Sequence, residues 1–106
     1  RRLALRSALS ARTDDIKVIK DFSSLSQPKT KEMTKVLESL EVKGKVLIIA
    51  DYNQAENQHL ELSSRNIPYV RLILPSNINV KDILEADDII ITESALKEIT
   101  ERLTRK

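Results

Sequence analysis

The chain has 106 residues, enough for one modest core, with a net charge of +2, no cysteine, two Tyr, one Phe and no Trp. The lack of cysteine excludes a disulfide framework and thiolate chemistry, and the scarcity of rings argues against stacking of successive single-stranded bases. No apolar run approaches the roughly 18 residues that cross a bilayer, so no membrane partner is expected.

The charge is unevenly distributed. Residues 1–45 carry eleven basic and six acidic side chains, a net +5, whereas residues 46–106 carry seven basic and ten acidic ones, a net −3. A basic front half suggests one face that meets a polyanion. The first twelve residues hold four arginines and no acid. Leu5, Ala8 and Leu9 recur at helical spacing while Arg2 and Arg6 stand one turn apart on another face, which is a helix with an apolar seat and a cationic flank. This basic start lacks the apolar stretch of a secretory signal and reads as mature sequence.

Alternation of elements follows. Ile16 to Ile19 reads as a short strand, and residues 21–28 as a Ser-rich loop ended by Pro28. Met33, Val36, Leu37 and Leu40 form one face of an amphipathic helix, with Thr30 as its cap. Gly44, the only glycine, follows that helix and is expected to stop it in a left-handed conformation. Val46 to Ala50 is continuously apolar, as in a strand covered on both faces. Asn53 with Glu56 resembles a reciprocal cap, leading to a helix of about ten residues through Leu60 and Ser64.

Tyr69 to Leu74 is the next strand, entered through Pro68. Asn79 and Asp82 repeat the capping pattern before a helix from Val80 to Ala86, and Ile89 to Ile91 form the last strand. Thr92 caps a final helix whose inner side is expected to be Leu96, Ile99 and Leu103. Four strands separated by helices indicate an α/β fold, a parallel sheet with helices on both faces.

Catalytic signals are sparse. His59 is the sole histidine and sits in a helical context, where an ordinary surface or edge residue is expected, and no soft-ligand metal cluster can form. One glycine cannot build a phosphate-cradling loop, and Ser7, Ser10, Ser63 and Ser64 lack an elbow motif. Asp51 follows a buried strand, where doubly wound enzymes place catalytic carboxylates. Asp14–Asp15 and Asp87–Asp88 sit at strand entrances and read as turn residues. No catalytic residue, cofactor or metal is expected. A small α/β enzyme or ligand-binding domain built on Asp51 stays open as a second reading, and a protein-only docking domain whose partner covers the acidic half as a third.

Three cationic groups point elsewhere. Arg1, Arg2, Arg6 and Arg12 form the first, Lys29, Lys31 and Lys35 the second, and Arg65 with Asn66 the third. Arginine's fork suits bidentate phosphate contact and lysine adds point charge. Such groups position a protein on folded RNA by shape and backbone.

Several segments resemble one family in order. They are Arg-Arg-Leu-Ala-Leu-Arg-Ser-Ala-Leu-Ser at 1–10, Pro-Lys-Thr-Lys-Glu at 28–32, Ser-Ser-Arg-Asn-Ile-Pro at 63–68 with Val70, Asn-Val-x-Asp-Ile-Leu at 79–84 and Thr-Glu-Ser-Ala-Leu at 92–96. Together they are similar to the C-terminal part of the ribosomal large-subunit protein 4 family, bacterial and organellar type. The resemblance covers essentially the whole chain and implies a three-layer α/β/α domain over 1–106 with a four-stranded parallel sheet of order 1-4-2-3.

It further implies a non-enzymatic role in the large subunit: binding large-subunit ribosomal RNA, supporting assembly and meeting neighbouring ribosomal proteins, with no DNA partner. RNA contact carries over onto Arg1, Arg2, Arg6 and the Lys29–Lys31 segment, and less directly onto Arg65 and Asn66. The family has an N-terminal section and a tunnel loop before the opening helix, which these residues do not contain. Ala-Arg-Thr-Asp-Asp and Arg-Asn-Ile-Pro-Tyr-Val are most similar to cyanobacterial and plastid members, so a plastid ribosome is expected, otherwise a bacterial one.

Overall fold

The structure, a computed structural model, describes residues 2–21, 30–42, 44–54, 57, 59–65 and 67–104, without the side chains of 2–4, 30, 103 and 104. The helices are α1 (Arg2–Ala11), α2 (Thr30–Ser39), α3 (Leu60–Ser64), α4 (Val80–Glu85) and α5 (Glu93–Thr104). The strands are β1 (Ile16–Ile19), β2 (Val46–Ile49), β3 (Val70–Ile73) and β4 (Asp88–Thr92), with single helical turns at Thr13–Asp15 and Pro75–Asn77. All strand pairs are parallel, in the order β1-β4-β2-β3, as the resemblance implied.

Every residue of β2 and β4 is buried, because successive side chains point into two different cores. Leu47, Ile49, Ile89 and Ile91 face Ala8 of α1, Ile83 of α4, and Ala95 and Ile99 of α5. Val46, Ile48 and Ile90 face Met33 and Leu37 of α2, Leu60 of α3 and the nearby Ile67. Three helices therefore cover one face and two the other. Each fully buried Leu, Ile or Val contributes about 2 kcal/mol.

Local chemistry fixes the ends. Asn79 accepts a hydrogen bond from the Asp82 N–H at 2.9 Å and returns one from its amide to Asp82 Oδ2 at 2.7 Å, so the expected cap of α4 forms. Thr92 Oγ1 accepts from the Ala95 N–H at 3.3 Å at the start of α5. That helix is phased differently from expectation: Ala95 and Ile99 are buried whereas Leu96 is 38% exposed. Arg102 extends the same inward stripe and donates to the carbonyls of Pro75 at 2.9 Å and Ser76 at 3.2 Å. The small Ala95 lets the helix approach the sheet closely. Leu103 and the cap assigned to Thr30 fall on side chains outside the described set, as does most of the 21–28 loop.

Two further expectations need correction. The helix through Leu60 and Ser64 is only five residues long, and its preceding residue, His59, makes no side-chain cap bond. The Asn53 N–H donates to Asp51 Oδ1 at 3.0 Å, closing an Asp-centred turn directly after β2, and the reciprocal cap of Asn53 with Glu56 falls on a residue outside the described set. A side chain that hydrogen-bonds the backbone two residues on competes with helix formation there.

Gly44 is the second. Among the described residues no glycine has positive φ, and the left-handed position after α2 belongs to Glu41, at φ 57°. Gly44 is required by a close approach instead. A methyl carbon there would lie well inside van der Waals contact distance of Asp87 Oδ2, the atom that accepts the Lys45 N–H at 2.8 Å. Gly44→Ala is expected to displace that carboxylate and destabilise the domain by about 1 kcal/mol in denaturant titration. In an Asp87→Ala background the same change should cost much less, a coupling that a double-mutant cycle reads directly.

Candidate nucleic-acid interface

The described cations lie on different layers. Arg6 is exposed on α1, on the side away from buried Ala8, while Leu5 and Leu9 pack partly against the first core. The first turn of α1 contains no acid and begins at Arg2. Cations there oppose the positive end of the helix macrodipole, a local cost that an anion at the same end would offset.

Lys31 and Lys35 are exposed one turn apart on α2, whose opposite side carries buried Met33 and Leu37. Arg65 is exposed just past α3, with its N–H on the Glu61 carbonyl at 3.1 Å. Since α1 covers one face of the sheet and α2 and α3 the other, the described cations Arg6 and Lys31 with Lys35 stand on opposite layers. Arg1, Lys29 and Asn66, and the side chain of Arg2, lie outside the described residues.

Arg12 differs from the others. Its side chain is only 19% exposed, and its guanidinium makes four hydrogen bonds to the protein itself. It donates to Asp15 Oδ2 at 3.0 Å, to the Leu84 carbonyl at 3.2 Å, to the Ala86 carbonyl and to the Asp87 carbonyl at 3.2 Å. These carbonyls close the C-terminal end of α4, where a cation is favourable and intrahelical partners run out.

Acids cluster at the entrances of β1 and β4, with Lys17 and Arg12 paired among them. A cleft of about 590 Å³ is lined by Asp14, Asp15, Lys17, Glu41, Asp87 and Asp88, all at the entrances of β1 and β4 or just past α2. Lys17 Nζ pairs with the buried Asp88 carboxylate at 3.1 Å. The β1–β4 part of the N-terminal sheet edge therefore gathers five carboxylates around Lys17, with Arg12 bonded to Asp15 beside them. Because α2 ends at this edge, its first turn, with Lys31, is directed toward the opposite one.

Asp51 and Ser64, both considered for catalysis, have structural duties. The Asp51 carboxylate holds the Asn53 N–H, and its carbonyl accepts from the Gln54 N–H at 3.2 Å and from Asn57 Nδ2 at 2.9 Å. Buried Ser64 donates to the Leu60 carbonyl at 2.7 Å. Among the described residues no group of three or more His, Asp or Glu side chains could hold a metal ion. The Arg71–Asp82 bridge, 2.9 Å between a largely exposed arginine and a buried carboxylate, was not foreseen from the sequence. Its partners are eleven positions apart and join β3 to α4; only the Asn79 capping pattern hinted that Asp82 would be engaged.

Doubly covered parallel strands, carboxylates held in turns and bridges, and cations on outer helix surfaces define a three-layer α/β/α domain distinguished by its surface charge. Comparison with known proteins carries this further. The family model of the ribosomal protein L4/L1 family matches residues 1–102. Large ribosomal subunit protein uL4 of Staphylococcus carnosus is 46% identical over 104 residues, covering 97% of this chain and 49% of that protein. The uL4 proteins of Acaryochloris marina and Rippkaea orientalis are 42% and 40% identical over 105 residues, each covering 95% of this chain and 48% of its own length. The chain belongs to the ribosomal protein L4/L1 family. It spans about half the length of the curated relatives it matches.

The turn built on Asp51 gives a test of its role. Asp51→Ala is expected to lower stability by about 1 kcal/mol through loss of the bond to the Asn53 N–H, measured by thermal or urea unfolding. A variant equal in stability to the parent would show that the turn does not depend on that carboxylate.

Proposed function

We propose that this chain is a structural constituent of the large ribosomal subunit that binds large-subunit ribosomal RNA, supports subunit assembly and meets neighbouring ribosomal proteins. Family membership supports the setting. The observation that carries RNA contact is α1, an acid-free helix seated on the core by Leu5, Ala8 and Leu9, with Arg6 turned to solvent. The RNA-facing set comprises Arg1, Arg2 and Arg6, the Lys29, Lys31 and Lys35 group on and before α2, and Arg65 with Asn66. The acidic sheet edge faces away from phosphate.

Two cationic helix surfaces on opposite layers suit a domain embedded between RNA segments better than one resting on a flat face. The role is positional rather than catalytic, since the carboxylates that would serve an enzyme are occupied in turns and bridges. The finer assignment, to a plastid rather than a bacterial ribosome, is supported by Ala-Arg-Thr-Asp-Asp at 11–15 and Arg-Asn-Ile-Pro-Tyr-Val at 65–70.

Binding to a transcript of large-subunit ribosomal RNA across a salt series tests the proposal. Each phosphate contact removed should flatten the slope of log K against log salt by about one or slightly less. Arg6→Ala combined with Lys31→Ala and Lys35→Ala is thus expected to reduce its magnitude by about two to three. The melting temperature should barely change, because all three side chains are exposed. An unchanged slope in the triple variant would place RNA contact elsewhere.

A further inference from the structure

We propose that Arg12 is a positioning residue for the RNA-facing helix: its guanidinium clamps the end of α1 to the junction between α4 and β4, and so sets where Arg6 stands. This rests on the RNA-binding reading given above. Helix α1 is ten residues long, a length that depends on tertiary contacts for its stability. Of its described side chains only Ala8 is buried, while Leu5 and Leu9 are partly buried.

The clamp is built from both sides. Backbone bonds from the Arg12 N–H to the Leu9 carbonyl at 3.2 Å and from the Asp15 N–H to the Arg12 carbonyl at 2.9 Å fix the exit of α1. The Thr13 hydroxyl donates to the Ser10 carbonyl at 2.8 Å at the same place. Asp15 then orients the guanidinium through Nε, leaving its outer nitrogens aimed at Leu84, Ala86 and Asp87. That junction is itself immobilised. The Asp87 and Asp88 N–H groups donate to the Lys45 carbonyl at 2.8 and 3.1 Å, and the Asp87 carboxylate accepts the Lys45 N–H. Arg12 thus ties α1 to the entrance of β4 and, through the Asp87–Lys45 bonds, to that of β2. Lysine cannot replace it, because a single ammonium cannot span carbonyls on one side and a carboxylate on the other.

The experiment compares Arg12→Ala, Arg12→Lys and Arg6→Ala in the full chain, using amide hydrogen exchange and binding to a large-subunit ribosomal RNA transcript over a salt series. Both Arg12 variants should exchange at α1 about tenfold faster relative to β2 and β4. They should also bind RNA roughly three- to tenfold more weakly at fixed salt, with the parent's slope, whereas Arg6→Ala flattens the slope. Parent-like affinity in Arg12→Lys, or a slope flattened by about one in Arg12→Ala, would mean that Arg12 touches phosphate, and overturn the proposal. Unchanged exchange in α1 would overturn it too. Should Arg12→Ala not fold, Arg12→Lys decides on the same readouts. If the parent shows no salt-dependent RNA binding, the RNA reading fails, while the exchange data still report on the clamp.

Discussion

Burial of β2 and β4 on both faces is the constraint on which the rest depends. Once Val46–Ile49 and Ile89–Ile91 alternate between two cores, helices must cover both faces, and parallel pairing forces each connection to cross over the sheet. Charge is pushed outward, onto helix surfaces and strand entrances. The helices run back against the strands, so that the helix end met at Glu41 shares an edge with Asp14, Asp15, Asp87 and Asp88.

Arginine has two kinds of work in this molecule. Arg12, Arg71 and Arg102 bind the protein to itself, at the end of α4, between β3 and α4, and at the turn before α4. Arg6 and Arg65 face solvent. Sequence spacing alone places Arg6 and Arg12 in one group, yet their environments are opposite. The difference arises at the end of α1, where the chain leaves helical periodicity and Arg12 turns toward the α4–β4 junction.

Much of the fold was legible because it follows from local periodicity. The run Val46 to Ala50 announces a strand covered twice, Asn79 with Asp82 announces a cap, and Leu5, Ala8 and Leu9 announce the seat of α1. What was missed depends on contacts distant in sequence or on competing local bonds. Gly44 was read as a helix stop, but its need comes from Asp87, more than forty positions away. The Asp51 turn is a local bond that the helical spacing does not announce, and α5 turns Ala95 inward in place of Leu96. For the interface, the sequence identifies the cations but not their division between two layers, since that division follows from which side of the sheet each crossover takes.

Embedding between RNA segments, with cationic helices outward and the acidic edge away from phosphate, is the central claim. Protein–RNA crosslinking in isolated large ribosomal subunits, with the crosslinked peptides identified by mass spectrometry, tests it most directly. The expected result is RNA adducts on peptides carrying Arg6 and on those carrying Lys31 and Lys35, from both layers of the same domain, and none at Asp14, Asp15, Asp87 or Asp88. Adducts confined to the acidic edge, or subunits in which neither cationic helix crosslinks, would contradict it.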